Sequence, residues 1–285
     1  MVYKTHLTSK IDSRLRNNGE INNFEIFLTK NFTFKDVESR RYYMRFEDVD
    51  IPLSYYNVNS NFNVLRVIET DGVTSPVVVV TLDVGNYTAA EIEQAVQLAL
   101  NNGTNFTNVY TVTYDPTNNK FDFKVVFGTG TASTIDTIAN GSTLNEIMGV
   151  GTADTAFITT NDNTLSFVNN TNVTAPFSVK LDPIQYIHII IRNLTSNNSY
   201  IGGKPVKIGA FIPTSSSDRN GRLYYENNKR TNVQLNSKHT LNHLEVELRD
   251  NYDNLLDLNG HDYNFNLIIE ELVDFKKSET VHNLN

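Results

Sequence analysis

Two of the six histidines have a spacing that could bind a metal ion. His239 and His243 are separated by three residues, so on a helix their imidazoles would lie on one face. The stretch "HTLNH" lacks the glutamate of a zinc-protease motif, and a strand-like run follows it directly. We therefore expect two exposed loop histidines rather than a metal site. His188, inside "YIHIIIRNL", is predicted to be a satisfied core or interface histidine.

Clustered acidic residues are the second candidate for chemistry, because carboxylates bind calcium and transfer protons. "EDVD" covers residues 47–50, and "DNYDNLLDLNG" covers residues 250–260. A calcium loop starting at Asp250 would need glycine at its sharp turn, where the sequence has Leu255. Turn formation is therefore the favoured interpretation, and neither cluster singles out a carboxylate pair for acid–base catalysis.

The sequence lacks the local motifs of common enzyme classes. It has no G-x-S-x-G, no P-loop and no dinucleotide fingerprint, and the Gly/Thr-rich stretch 128–137 contains no lysine. It also has no cysteine, which excludes disulfides, a thiolate nucleophile and thiolate zinc ligands. We predict that the protein is not an enzyme and has no cofactor. We likewise predict no catalytic, cofactor-binding or metal-binding residue.

Composition narrows the class of protein further. The 285 residues are 39% hydrophobic, enough to build a packed core in one large or two smaller domains. A net charge of -8 makes nucleic acid an unexpected partner. No apolar run approaches the length of a membrane span, and the N-terminal residues lack the apolar stretch of a secretory signal.

Strand-like segments lie towards both ends of the chain. Near the N-terminus, Phe24, Ile26 and Leu28 alternate with polar residues, and an extended run follows at 41–56. Towards the C-terminus, strand-like runs occupy 177–183, 186–194, 206–213, 221–227, 232–236, 243–250 and 263–272. In 243–250 and 263–272, apolar and polar residues alternate, and this period of two predicts half-buried strands. Residues 1–20 are polar and are predicted to form an N-terminal arm.

The segment between these groups differs in charge. Residues 59–163 contain eleven acidic and three basic residues, whereas the rest of the chain contains 21 of each. The whole net charge of the protein therefore lies in this segment. The partition predicts an acidic insertion domain at 59–163, which divides a discontinuous β domain made of 1–58 and 164–285.

A single well-capped helix is predicted inside the insert. Thr88 and Glu91 form a capping box, and Gly103 is placed to end the helix in the left-handed conformation. Ile92, Ala95, Val96 and Ala99 form a narrow apolar stripe. Predicted hairpins flank the helix, giving a ββαββ order. A small sheet needs a cover for its apolar face, so we expect the helix to provide it. A short second helix is predicted at 142–149.

Three stretches resemble the penton, or minor capsid, proteins of virophages and polinton-like viruses. They are "IPLSYYNVNSNFN" at 51–63, "GNYTAAEIEQAVQLAL" at 85–100 followed by "VTYDPTNNKFDF" at 112–123, and "LRDNYDNLLDLNGHDYNFNLIIEEL" at 248–272. The resemblance implies a mainly β fold, a single jelly-roll β-sandwich with a small inserted α+β domain. It also implies a structural role, with five copies forming each vertex of an icosahedral virion.

The same resemblance implies the partners and the location of the protein. The partners would be further copies of the chain in a homopentamer and the major capsid protein of the same virion. A host receptor is a candidate partner of the insertion domain. The protein would be made in the host cytoplasm and located in the capsid. Because acidic inserts repel one another, we expect the insert at an exposed outer face.

Two other classes of protein stay open at this stage. One is a receptor- or carbohydrate-binding viral fibre with a lectin-like jelly roll, for which the fourteen tyrosines would serve sugar stacking. Trimeric assembly would favour that class. The other is a hydrolase on a β scaffold, which a reproducible pH profile in an activity screen would favour.

Overall fold

The computed structural model describes residues 2–34, 40–136, 140–151, 164–182, 184–194, 198–201, 204–207, 209–214, 221–226, 233–235 and 240–273. Its contacts divide the chain into two compact units. The first unit comprises Met1–Tyr55 with Gln185–Asn285, and the second, middle unit comprises Tyr56–Ile184. Among the described residues, no helix is both long and apolar enough to span a bilayer.

Two antiparallel sheets build the first unit. One sheet contains, in spatial order, β1 (Val2–Asp12), β19 (Asn264–Val273), β4 (Arg40–Pro52) and β16 (Arg222–Tyr225), and β17 (Val233–Leu235) also pairs with β4. The other contains β15 (Ala210–Pro213), β12 (Tyr186–Ile191), β18 (Thr240–Asp250), β3 (Asn23–Thr33) and β2 (Asn18–Glu20). A separate hairpin joins β13 (Asn198–Ile201) to β14 (Lys204–Lys207).

The strand pairing is nested, as in a long hairpin wound around a barrel. If the eight main strands are taken in chain order, the first pairs with the last (β1 with β19) and the second with the seventh (β3 with β18). The third pairs with the sixth (β4 with β16), and the fourth with the fifth (β12 with β15). This pattern makes the first unit a jelly-roll β-sandwich.

Alternating side chains fill the space between the two sheets. Leu244, Val246 and Leu248 of β18 are all fully buried, as the period of two predicts. Aromatic rings join the sheets, because Tyr263 at the start of β19 lies 6.0 Å from Phe24 of β3 between ring centroids. The core of the jelly roll is therefore built from the inward positions of strands from both ends of the chain.

Two predictions about the discontinuous β domain of 1–58 and 164–285 are wrong. Residues 1–20 are not an arm, because Val2–Asp12 form β1 and pair with β19 from Val2↔Val273 to Asp12↔Asn264. Backbone pairing holds this strand in the sheet, so its side chains need little apolar character. The run predicted as a strand at 177–183 forms none in its described part, where Val179 and Lys180 bond single backbone groups of the middle unit instead.

The middle unit contains two smaller sheets. One has the order β10 (Leu165–Phe167), β9 (Ala132–Ile135), β5 (Val64–Thr70) and β6 (Val77–Thr81). The other has the order β11 (Asn172–Thr174), β8 (Lys120–Val126) and β7 (Val109–Asp115). The predicted ββαββ order is confirmed, with hairpins β5–β6 and β7–β8 on either side of α1 (Ala89–Gly103). The short helix α2 covers Asn145–Met148.

This unit extends further along the chain than the charge boundaries at 59 and 163, because β11 pairs with β8. It contains twelve acidic and four basic residues, and the jelly-roll unit contains twenty of each. The division by contacts therefore separates the charge as sharply as the sequence segment does. Whether the middle unit folds independently of the jelly roll stays a prediction.

Helix α1 begins as the sequence predicts. The side chain of Thr88 accepts a hydrogen bond from the Glu91 backbone, and the Glu91 carboxylate accepts one from the Thr88 backbone. The buried stripe is Ala89, Ile92, Val96 and Leu100. The predicted end is wrong, because Gly103 is the last helical residue and Thr104 follows in an extended conformation. The helix thus continues past its predicted stripe and buries Leu100 in place of Ala99.

The same helix covers the outer edge of β7 with polar side chains. Glu93, Gln97 and Asn101 recur every four residues and so lie on one face of α1. They accept hydrogen bonds from the backbone N–H groups of Tyr114 (2.7 Å), Val112 (2.9 Å) and Tyr110 (2.8 Å), respectively. Because these groups would otherwise stay unpaired at a sheet edge, the helix closes the edge as a neighbouring strand would.

A buried carboxylate holds the connection from α1 to β7. Glu69 of β5 is fully buried and accepts hydrogen bonds from the Tyr110 hydroxyl (2.6 Å) and the Asn105 backbone (2.7 Å). Thr104 and Asn108 also donate to it. Burial alone would raise the pKa of Glu69, but these hydrogen bonds lower it, so the group stays ionised. The hydrogen bonds of Glu69 therefore hold the connection between α1 and β7 in place.

Candidate functional site

His243 and the acidic cluster at 250–260 make separate local contacts. His239 lies outside the described residues, and His243 lies on β18 with its Nε2 3.3 Å from the Glu245 carboxylate. Asp250 caps its own turn by accepting from the backbones of Tyr252 and Asn254, as the turn interpretation predicts. Within the described part of the chain, no group of three or more His, Asp or Glu side chains could hold a metal ion.

His188 is buried, but it is not the satisfied histidine that the sequence suggested. Its side chain is 2% exposed, and neither ring nitrogen has a hydrogen-bond partner among the described residues. The imidazole stacks on Phe211 of β15 at 5.1 Å between ring centroids. Burial lowers its pKa to about 4, with the Asp253 carboxylate acting weakly in the opposite direction. His188 is therefore neutral at pH 7.

A polar cleft of about 350 Å³ lies at one end of the first sheet. Two ion pairs line it: Arg14 binds Asp12 (2.8 Å from Nε) and Arg222 binds Asp50 (2.7 Å). The hydrogen bond from Arg14 lowers the pKa of Asp12, so this pair is charged at neutral pH. The cleft presents both donors and acceptors, which can bind a hydroxyl-rich ligand. Its lining residues in the described part of the chain include no serine, threonine or cysteine.

A second concave surface, the edge groove, lies between the outer edges of the two jelly-roll sheets. Its volume is about 340 Å³, and residues 7–11 of β1, residues 26–30 of β3, Leu15 and Asn17 line it. Along β3, strand β2 pairs only with residues 23–25, and the Asn17 side chain accepts the N–H of Phe27 at 2.7 Å. Beyond Phe27, no described strand pairs with this edge of β3, nor with the outer edge of β1.

The edge groove combines apolar and basic groups. Leu15 is 65% exposed and Phe27 is 53% exposed, which is unusual for side chains of this size on one patch. Lys10 and Lys30 are also exposed, and no acidic residue lines the groove. Sequence reasoning missed this surface because it assigned β1 to a polar arm. Leu15, an apolar residue within that polar segment, could have indicated this surface.

The opposite side of the jelly roll, here called the β16 side, consists of β16 with Asp48 and Glu226. A β-bulge in β4 places Asp48 in the left-handed region at φ 46°. Its carboxylate accepts from Asn266 (2.7 Å) and from the Tyr224 hydroxyl (3.4 Å). Burial and the carboxylates of Asp48 and Glu226 raise the pKa of Tyr224. This side is therefore an acidic strand edge with an aromatic side chain.

Similarity to known proteins is found among solved structures. No protein-family model and no curated protein matches the sequence. Among solved structures, the selenomethionine-labelled mavirus penton protein is similar to 95% of this chain over 100% of its own, with 14% identity and a TM-score of 0.47. This level of similarity does not assign the chain to a family.

Proposed function

We propose that the protein is a structural capsid protein whose jelly roll forms the pentameric vertices of an icosahedral virion. The observation that carries the proposal is the nested pairing of eight strands, interrupted between β4 and β12 by the middle unit. Jelly rolls with two packed sheets are common building blocks of viral capsids. The sequence resemblance at 51–63, 85–100, 112–123 and 248–272 supports the same role and supplies the number five.

Ring formation requires that each subunit present two different, complementary surfaces. The jelly roll has two such sides, because the strand orders place β1 and β3 at one side and β16 and β15 at the other. Both sides end in strands that have one unpaired edge among the described residues. A contact between opposite sides of neighbouring copies can repeat around a closed ring.

The charge distribution supports assembly through the jelly roll. This unit contains equal numbers of acidic and basic residues, so neighbouring copies do not repel each other through net charge. The middle unit carries the entire net charge of -8, and five copies brought together in one ring would repel. Salt screens this repulsion over about 8 Å at physiological ionic strength, so rising salt should favour the ring.

The partners and location follow from the same role. The major capsid protein of the same virion would contact the ring, and the protein would lie in the capsid after synthesis in the host cytoplasm. The middle unit, which is acidic and carries exposed side chains on β6, is the candidate surface for a host receptor.

Negative-stain electron microscopy of the purified full chain tests the proposal. Samples at several salt and protein concentrations should contain rings, and class averages should have five-fold symmetry. The fraction of rings should rise with salt and with protein concentration. Monomers under every condition, or particles with three-fold symmetry, would contradict the vertex role.

The polar cleft favours a second candidate, a carbohydrate-binding fibre protein. Its paired Asp12–Arg14 and Asp50–Arg222 side chains offer donors and acceptors for sugar hydroxyls. A trimer that binds immobilised glycans, and loses that binding in Arg222→Ala, would support this candidate. A pentamer that binds no glycan would exclude it.

A further inference from the structure

We propose that the edge groove of one subunit receives the β16 side of the next copy, so that this contact joins neighbouring subunits of the ring. The inference rests on the proposed function, because it names the surfaces through which a five-membered assembly would close. It concerns only residues of the jelly-roll unit.

The backbone of the groove is suited to an extended segment. The outer edge of β1 and the part of β3 beyond Phe27 have no paired strand in the described part of the chain. Such edges carry rows of N–H and C=O groups that pair readily with another strand. A strand from a second copy can therefore add to either edge, as in β-strand addition.

The charges of the two sides are complementary. The groove presents Lys10 and Lys30 with no acidic neighbour among its lining residues. On the β16 side, Asp50 is neutralised by Arg222 at 2.7 Å, which leaves Asp48 and Glu226 as the acidic groups around Tyr224. Opposite charges at an interface steer the encounter and fix the register of the contact.

The edge groove and the β16 side also carry apolar and aromatic side chains that can pack against each other. Leu15 and Phe27 are more than half exposed and would be covered by a neighbouring subunit. Aromatic side chains such as Tyr224 and Tyr225 on the β16 side supply large contact areas at interfaces.

Pairing of two identical grooves is disfavoured, because it would bring Lys10 and Lys30 against the same residues of the other copy. A contact of groove with groove would also be isologous and would stop at a dimer. A contact between opposite sides is heterologous and continues from copy to copy until the ring closes.

Charge reversal in the full chain tests the contact. Lys10→Glu with Lys30→Glu should raise the dissociation constant of self-association by about tenfold or more at a fixed salt concentration, measured by sedimentation velocity. Glu226→Lys alone should also weaken association, and the triple variant should recover most of the loss. Asp48 is left unchanged because its left-handed φ of 46° suits aspartate better than lysine. Arg41→Glu, at an exposed position of β4 outside both surfaces, is the control for charge reversal within the same unit.

A matched pair of leucines tests the apolar part. Leu15→Ser should weaken association by about tenfold, whereas Leu98→Ser on α1 should leave it within about twofold, although Leu98 is 64% exposed and Leu15 is 65% exposed. Circular dichroism of each variant verifies that it is folded.

The outcomes separate the two proposals. Five-membered rings that tolerate the groove variants as well as the controls would overturn the groove contact and leave the vertex role standing. Trimers that dissociate in the groove variants would support the contact and overturn the vertex role. Failure of the triple variant to recover association would overturn the pairing of the groove with the β16 side.

Discussion

The two units leave the edges of their sheets in different states. In the middle unit, α1 lies along β7 and hydrogen-bonds the backbone of that edge strand through Glu93, Gln97 and Asn101. The other edge strands among the described residues of this unit, β6, β10 and β11, are only three to five residues long. In the jelly roll, β1 presents an edge of eleven residues that no described element covers. Because proteins usually protect long edges, this difference supports the proposal that the assembly surface lies on the jelly roll.

The two units also differ in charge. The jelly roll is neutral and the middle unit carries the net charge of -8. The long open edge of β1 therefore belongs to the unit that can approach its own copies without net repulsion. The covered edge belongs to the unit that would repel them.

The largest effect is expected from a charge in the core of the middle unit. Ile92 is fully buried on α1, so Ile92→Asp should destabilise that unit by about 3–5 kcal/mol. Leu98→Asp, on the exposed face of the same helix, should cost less than about 1 kcal/mol. Denaturant unfolding, monitored by hydrogen exchange, measures the loss of stability in both variants. Equal losses in the two variants would show that the packing face of α1 has been misidentified.

The jelly roll should respond to pH through His188. Its pKa is about 4 in the folded state and 6.5 without burial, so the unfolded state binds the proton first as the pH falls. Stability should therefore decline from pH 6.5 down to about 4, by roughly 3 kcal/mol in total for this group. His188→Leu should flatten this dependence, as seen in unfolding free energies measured at several pH values.

His261, which is exposed at the surface, supplies the control for that measurement. His261→Leu should retain the pH dependence of the natural chain. If His188→Leu and the natural chain lost stability equally between pH 6.5 and 4, another group would be responsible.

A smaller effect is expected at the edge that α1 covers. Gln97→Ala removes the acceptor of the Val112 N–H and should destabilise the middle unit by about 1 kcal/mol. Gln94→Ala, on the exposed face of the same helix, should change stability by less than about 0.5 kcal/mol. Thermal melting of the two variants tests this, and identical melting temperatures would argue against edge protection by Gln97.

Much of the fold could be predicted from local patterns. The capping box of Thr88 and Glu91, the two hairpins and the period of two in β18 each depend on residues close in sequence, and each is present. The prediction that failed, an N-terminal arm at 1–20, concerns a strand whose partner is distant in sequence. Strand β1 is held by β19 at the other end of the chain, and its side chains carry little apolar signal.

The surfaces were harder to predict than the fold. Buried Glu69 lies on the same face of β5 as Leu65 and Val67, so the alternation along this strand could have predicted its burial. Its hydrogen-bond partners could not be predicted in the same way, because they come from residues 104–110. The edge groove depends on two strands from different sheets, and no local motif encodes it. Leu15 and Phe27 are separated in sequence and line the same groove only in the folded jelly roll.

Native mass spectrometry of the full chain, at a series of ionic strengths, tests the central claim most directly because it counts subunits. We predict monomers at low salt and, as ionic strength rises, a complex of five times the 32.2 kDa subunit mass. A complex of three subunits at every ionic strength would contradict the account and favour the fibre protein.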